Sequence, residues 1–368
     1  MNRLIIIGNG FDLAHELPTS YKDFIEWYWD TWKNQLYKSE NKKEEDPFCL
    51  FKMKKGSPWD NLWELREIHP RLFDPNTHVK EFFHAINTGE IDCNVEIKSE
   101  LLKAICKSYE LYNWVDIENI FYQLLCDKTS PILSPKKLNE DMDFIRLKLS
   151  DYLSLIQKSI SSNIIKTDIS QKLFNPIKKQ DIAISSMSIW NDTHNELCYP
   201  ERTMILNFNY TSIGDIYFTS CEHDRYVVNH IHGKLEDPKN MIFGYGDEKD
   251  ENFQTLINKK ENHYLDNIKS IKYLESPNYR QLLSFIDADA FQIYIMGHSC
   301  GNSDRTLLNT LFEHRNCVSI KPFYYMRSKD SDNYMDLIQN ISRNFTDMKL
   351  MRDRVVNKTF CEPLLVND

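Results

Sequence analysis

The chain has 368 residues, enough for two domains or for one large domain carrying an insertion, with ample length for a buried core. Its net charge of −9 argues against a broad nucleic-acid surface, although a local basic groove stays open. Nine cysteines, scattered singly with no C-x-x-C, exclude a disulfide framework and a zinc-ligand spacing; they read as reduced core residues of a cytoplasmic protein.

Ten glycines against 19 tyrosines and 20 phenylalanines point to a helix-rich, aromatic-packed fold. The apolar start, Leu4-Ile5-Ile6-Ile7, is too short for a signal peptide or a membrane span. Its length and β-branched content predict a strand buried on both faces, as in a parallel sheet. Gly8-Asn9-Gly10-Phe11-Asp12 follows at once. Glycines here let backbone approach a ligand, and a following helix would offer N–H groups to a phosphate. The match to a dinucleotide fingerprint is partial, because Leu13 stands at the third glycine and no P-loop lysine follows. An ordinary strand-to-helix turn is the alternative.

Ser20 with Asp23 three residues on predicts a capped helix, with Tyr21, Phe24, Ile25, Tyr28, Trp32 and Leu36 on one stripe and Trp27 and Trp29 off it. Residues 38–58 read as a charged loop, and 59–97 as short helical pieces broken by Pro70, Pro75 and Gly89. Helical periodicity returns through Leu101, Leu102, Ile105 and Tyr109. It resumes past a break near Asn113 through Trp114, Ile117, Phe121, Leu124 and Leu125. Residues 136–163 predict a long helix with Leu138, Met142, Ile145, Leu149, Tyr152 and Ile156 on one face.

After about residue 200 short apolar runs alternate with helical stretches: Met204–Leu206, Tyr226–Val228, Met241–Phe243, Phe291–Met296 and Cys317–Ile320. The expected fold is therefore α/β, a mostly parallel sheet with a large, mainly helical insertion. Residues 1–18 supply the first strand and glycine turn, 19–200 the insertion, and 201–368 the rest of the core.

Four predicted strands end in polar or glycine-containing segments: Gly8-Asn9-Gly10, Asn207-Phe208-Asn209-Tyr210-Thr211, Asn229-His230-Ile231-His232-Gly233, and Gly297-His298-Ser299 with Asp304 after it. Open α/β sheets bind ligands outside the carboxyl ends of their strands. Asn209 could donate and accept to a ribose or water, or simply cap a turn. His232 before Gly233 suits a base near neutral pH, or a structural histidine. His230 at i−2 suggests a metal pair, but no carboxylate or cysteine set completes it, so no metal is expected. Gly297-His298-Ser299-Cys300-Gly301 spells a nucleophile elbow, yet only Asp304, Glu313 and His314 follow closely, which argues against a serine hydrolase. Asp12 could cap the next element or hold a ribose hydroxyl. Asp116 and Glu118 could be solvated helix charges.

The stretch LIIIGNGFDLAHELPTSYKDF (Leu4 to Phe24), followed in order by NWVDIE, NFNYT, HIHGKL, IFGYGD and GHSCGNSD, resembles the bacteriophage abortive-infection AbiH family over nearly the full chain. The motif order is also distantly similar to the Rossmann-like, sirtuin-like NAD-binding fold. That likeness implies phosphate contacts from Gly8 and Gly10, with Asn9, Phe11 and Asp12 beside them. It further implies Asn209 at the ribose beside Asn207, His232 as base beside Gly233, and Ser299 and Asp304 toward the adenosine beside Gly297. Glu118, His230 and His298 are additional candidates. Departures are GNG in place of GAG, Thr211 in place of the Asp of T-x-N-x-D, and the missing zinc cysteines, which argue against a deacetylase.

The function implied is a phage-defence effector that binds NAD or a related nucleotide and hydrolyses its N-glycosidic bond. A non-catalytic nucleotide sensor is one alternative. A metal-dependent nuclease or phosphohydrolase using Asp12, Asp116, Glu118 and Asp304 is another. A phage or host protein as trigger and self-association are compatible with the sequence; a membrane partner is not expected.

Overall fold

The computed structural model describes residues 1–55, 61–74, 77–91, 93–112, 116–127, 134–191, 198–219, 221 and 224–365. Pro75, Asn113 and Trp114, read above as breakers and an apolar contact, lie outside these residues. The chain divides into two compact units, Met1–Thr19 with Leu153–Asp368, and Ser20–Tyr152. Residues 153–200, grouped with the insertion by sequence, belong to the first unit. No helix among the described residues is long and apolar enough to cross a membrane.

The described strands, in chain order, are β1 Asn2–Ile7, β2 Lys43–Glu45, β3 Cys49–Met53, β4 Cys93–Ile97, β5 Thr203–Asn207, β6 Tyr226–His230, β7 Phe291–Met296, β8 Cys317–Phe323, and the short pair β9 Met326–Ser328 and β10 Ser331–Asp332. In the first unit five of them form one sheet in the order β6-β5-β1-β7-β8, with every pairing parallel. Strands β1, β5, β7 and β8 are buried along their whole length. This is why Leu4–Ile7, Met204–Leu206 and Ile293–Met296 read as unbroken apolar runs instead of alternating ones.

Successive side chains point to opposite faces. Leu4, Ile6, Met204, Leu206, Ile293 and Ile295 join one core with Leu282, Phe285, Leu308, Leu311 and Ile341 from three flanking helices. On the other face the helix Ile213–Phe218 approaches so closely that a Cβ on Gly214 would lie 2.9 Å from Ile7 Cδ1. Edge strand β8 is covered by the C-terminal segment, where Val356 N–H donates to Ile320 O (2.9 Å) and Leu364 N–H to Tyr324 O (2.8 Å). Covering an edge in this way withdraws unpaired backbone groups from other chains.

Chain order places β1 in the middle: β5 and β6 extend the sheet on one side, then the chain crosses to β7 and β8 on the other. The boundary between β1 and β7 is the point where strand order reverses. In open α/β sheets the ligand crevice opens there, beyond the strands' carboxyl ends.

One expected strand is absent. Met241-Ile242-Phe243 is buried but irregular. Ile242 N–H donates to His232 O (2.8 Å), and Ile242 O accepts from Tyr210 OH (2.8 Å). Gly244 then presses against Asn267, whose carbonyl oxygen would lie 2.0 Å from a Cβ there. The backbone groups of this run are spent on bonds to loops, so no ladder forms.

The Ser20–Tyr152 unit contains the expected helix Tyr21–Lys38, and its predicted capping box between Ser20 and Asp23 is present. Trp29, off the predicted stripe, is fully buried beside Tyr28 and Phe82. The long helix runs Pro135–Gln157, with all six of its predicted apolar positions buried. The unit also holds an antiparallel sheet in the order β2-β3-β4, where a charged loop and helical pieces had been expected. Strand β2 is Lys-Glu-Glu and sits at an edge, and β3 pairs with β4 across 40 or more positions, such as Cys49 with Ile97. Neither feature shows in a short hydrophobicity window.

Candidate functional site

Parallel register brings four strand ends to one rim. Ile7 is paired with both Asn207 and Met296, and Asn207 with His230. The chain therefore leaves β1 at Gly8, β5 at Phe208, β6 at Ile231 and β7 at Gly297 on the same edge of the sheet.

The two glycines of the first turn are explained by contact with the end of β7. A Cβ on Gly8 would lie 2.7 Å from His298 Cδ2, and one on Gly10 would lie 2.7 Å from Gly297 O. Gly10 N–H donates to that same carbonyl at 2.8 Å, so it is committed within the protein. Gly297 itself has φ +75°, the left-handed region that favours glycine. The short helix Asn9–Ala14 starts directly from this turn.

Asn209 reaches across from the end of β5. Its amide nitrogen donates to Gly8 O (2.9 Å) and to Asp12 Oδ1, which leaves only its oxygen to act toward a ligand, as an acceptor. Thr211 Oγ1 donates to the other Asp12 oxygen at 2.7 Å. Asn207 braces this loop, accepting from Asn209 N–H (2.8 Å) and donating to Thr211 O (3.0 Å).

The end of β6 and the loop after β7 carry the charged centre. His232 Nε2 lies 3.3 Å from Asp304 Oδ1 and 3.2 Å from Tyr273 OH. Lys269 Nζ donates to the same Asp304 oxygen at 2.8 Å. His298 Nε2 stands 3.7 Å from Asp304 Oδ2. The Phe208 ring packs between the two imidazoles, with centroids 5.0 Å from His232 and 4.3 Å from His298. All of these side chains are buried.

Burial, seconded by the Lys269 ammonium, pushes the His232 imidazole down to about 4 against the opposing pull of Asp304. Burial alone would raise the Asp304 carboxyl. Lys269 and the two histidines outweigh it and hold that group well below the ordinary carboxylate range. At neutral pH the centre is thus an ammonium–carboxylate pair next to a neutral imidazole.

A family model described as "Bacteriophage abortive infection AbiH" matches residues 4–326. The chain belongs to the AbiH family. A comparison with curated proteins finds no match. Membership implies a role in phage abortive infection. The matched span includes every rim residue of this AbiH chain, from Gly8 to Asp304.

Of the residues named from the sequence, the rim of this AbiH chain brings together Gly8, Gly10, Asn207, Asn209, His232, Gly297, His298 and Asp304. Other candidates are placed differently. Asn9 is exposed, and its carboxamide oxygen accepts from Thr19 Oγ1 (2.6 Å). Phe11 is fully buried against His15 and Tyr217, as a core residue. Asp12 is buried with both oxygens engaged by Asn209 and Thr211, which suits holding the loop rather than a ribose. His230 turns to Asp215 (2.9 Å) and contacts Asn207, away from His232. Gly233 adopts φ +84° with its open face on Asn240 O. Ser299 is exposed, and its carbonyl accepts from Asn340 (2.9 Å). His314 is paired with Asp287 (3.4 Å) instead of completing an elbow triad. Glu118 and Asp116 belong to the Ser20–Tyr152 unit, where Glu118 is buried and Asp116 caps the helix Ile117–Cys126. Among the described residues no group of three or more His, Cys, Asp or Glu side chains could hold a metal ion.

Lys269 and Tyr273 were missed. They lie in a stretch read only as helical, where nothing in Ile268-Lys269-Ser270-Ile271-Lys272 sets Lys269 apart from a surface lysine. A cation at a buried position is expensive unless paired, and here the partner is Asp304.

Burial raises the Asp12 carboxyl to about 7, from 3.8 when exposed, despite its bonds from Thr211 and Asn209. Between those values the folded protein keeps a proton that the unfolded chain has lost. The associated stabilisation is complete below 3.8 and disappears as pH rises through about 7. Asp12→Asn, in which Thr211 can turn its hydroxyl to accept, should therefore gain on the wild type by about 1.4 kcal/mol per pH unit between about pH 4 and 7. Urea unfolding of both proteins across that range measures the gap; a gap independent of pH would mean that Asp12 is not held protonated.

Proposed function

We propose that this AbiH-family chain binds NAD or a related dinucleotide at the carboxyl rim of its parallel sheet and hydrolyses the N-glycosidic bond to the nicotinamide. The observation that carries this reading is a neutral, buried His232 held by the Asp304–Lys269 pair beside the point where strand order reverses. Switch-point rims are where dinucleotides bind in open α/β sheets, and the order of glycine turn, Asn, His-Gly and Gly-x-Ser segments supports a dinucleotide.

The chemistry asks little beyond position and a proton acceptor. The nicotinamide ring is cationic while attached, so it departs with the bonding electron pair as a neutral molecule. Water adds at the anomeric carbon and gives up one proton, for which His232 is the base. Asp304 then faces an imidazolium, a charge that it is already oriented to stabilise. Asn209 offers its carboxamide oxygen to a ribose hydroxyl or to the water, fixed by Gly8 and Asp12. A metal-based reading loses support because Asp304 is neutralised by Lys269 and Asp12 is engaged on both oxygens.

A second reading, a nucleotide sensor without turnover, is favoured by the depth of the site: His232 is 5% and Asn209 8% exposed. Mass spectrometry of small metabolites in cells expressing the chain distinguishes the two. Hydrolysis predicts that NAD falls while ADP-ribose and nicotinamide rise, and that Asn209→Ala blunts the change. Unaltered NAD during toxicity would remove the catalytic reading.

A further inference from the structure

We propose that Lys269 is a positioning residue of the rim: it satisfies the Asp304 carboxylate so that His232 stays neutral, with its proton on Nε2 and Nδ1 as the accepting atom. The inference builds on the reading of His232 as base, but its geometry stands apart from the substrate.

A buried carboxylate needs a cation. Lys269 supplies one, fully buried, with Nζ 2.8 Å from Asp304 Oδ1. The second carboxylate oxygen faces Ser303 Oγ (3.3 Å) and His298 Nε2 (3.7 Å). His298 Nδ1 accepts the Cys300 N–H at 3.0 Å, so a neutral His298 carries its proton on Nε2, toward Asp304. His232 Nε2 meets the carboxylate oxygen already bonded to Lys269 and also the Tyr273 hydroxyl. The groups facing His232 are thus Asp304, Lys269, Tyr273 and His298, with the Phe208 and Tyr210 rings. Among them only His232 and Lys269 both reach Asp304 Oδ1 and can carry a positive charge there. With Lys269 in place, His232 need not be charged; without it, His232 is the group that takes the proton and is lost as a base.

The fold is built to seat this lysine. Lys269 N–H donates to Tyr245 O at 2.9 Å, and a Cβ on Gly246 would lie 3.1 Å from the Lys269 Cβ. Ser303 O would lie closer still, at 2.9 Å, so the second glycine of Ile242-Phe243-Gly244-Tyr245-Gly246-Asp247 leaves room for both the Ser303 carbonyl and the lysine stem.

Nitrogen NMR of labelled histidine in the full chain, without nucleotide, reads protonation and tautomer directly. The wild type should show His232 neutral from pH 8 to 5 with the proton on Nε2. Lys269→Met should raise the His232 titration from about 4 by about three pH units or more, leaving the ring substantially charged at pH 7. Lys269→Arg should keep it neutral. If Lys269→Met does not fold, the double variant Lys269→Met/Asp304→Asn removes both charges and should again show a neutral ring. A charged ring or a proton on Nδ1 in the wild type at pH 7, or an unshifted titration in Lys269→Met, would overturn the assignment. Because no NAD is present, failure here is separable from failure of the proposed hydrolysis. Where NAD is cleaved, Lys269→Met should be inactive at pH 7 and recover toward pH 9, which a merely misfolded variant would not do.

Discussion

His232→Asn should cut the rate of NAD cleavage by about 10²- to 10⁴-fold, the usual contribution of a positioned general base. Affinity for NAD should change little, because in the proposed reaction the imidazole acts on the water's proton and not on the ground-state ligand. Asparagine keeps a polar group near Asp304 and Tyr273 but cannot accept a proton at any working pH. Removing the imidazole also leaves the Lys269–Asp304 ion pair intact at 2.8 Å, so the electrostatics of the rim survive the change. Calorimetric binding alongside single-turnover chromatography separates the two quantities. Loss of binding with the rate per bound complex retained would assign His232 to recognition instead of chemistry.

Gly297→Ala should be the most destabilising single-methyl substitution at the rim, by about 4 kcal/mol or more. Two effects combine. An L-residue at φ +75° is strained, and its Cβ would fall 2.1 Å from Phe11 N and 2.5 Å from Gly10 C. Both obstacles are backbone atoms of the first turn, which cannot swing aside as a side chain would. Gly10 is bonded to this same peptide, so relief by moving apart would break the contact that aligns β1 with β7. Gly89 is a built-in control: its φ is +72°, but a Cβ there meets nothing within 4 Å. Gly89→Ala should cost only about 1 kcal/mol. Chemical denaturation of the two variants measures the difference, and equal losses would show that the rim is loosely packed.

Much of the sheet was legible because its strands are buried on both faces. Ile5, Ile6 and Ile7 in β1 and Ile293 and Ile295 in β7 have no polar face to confuse the pattern. The rim followed from those strands, since Asn209, His232 and Asp304 come just after them. Meeting of the four ends needed a strand order that no local pattern contains. Two kinds of information were out of reach. Pairings such as Cys49 with Ile97 join segments that look unrelated, and the charged β2 mimics a loop. Met241–Phe243 has strand composition but gives its backbone bonds to His232 and Tyr210. Lys269 was invisible for a different reason: its role depends on Asp304, 35 positions later, and not on its neighbours. The two glycines of the first turn were noticed for phosphate approach, whereas the structure uses them for backbone contact with Gly297 and His298.

As proposed, this rim takes up NAD and breaks its bond to nicotinamide. Incubating the purified full chain with NAD and following NAD, nicotinamide and ADP-ribose by chromatography tests it most directly. The expected result is one nicotinamide and one ADP-ribose formed for every NAD lost, without added metal, and a rate about 10²- to 10⁴-fold lower with His232→Asn. NAD that binds but is recovered intact, or that is never bound, would contradict it.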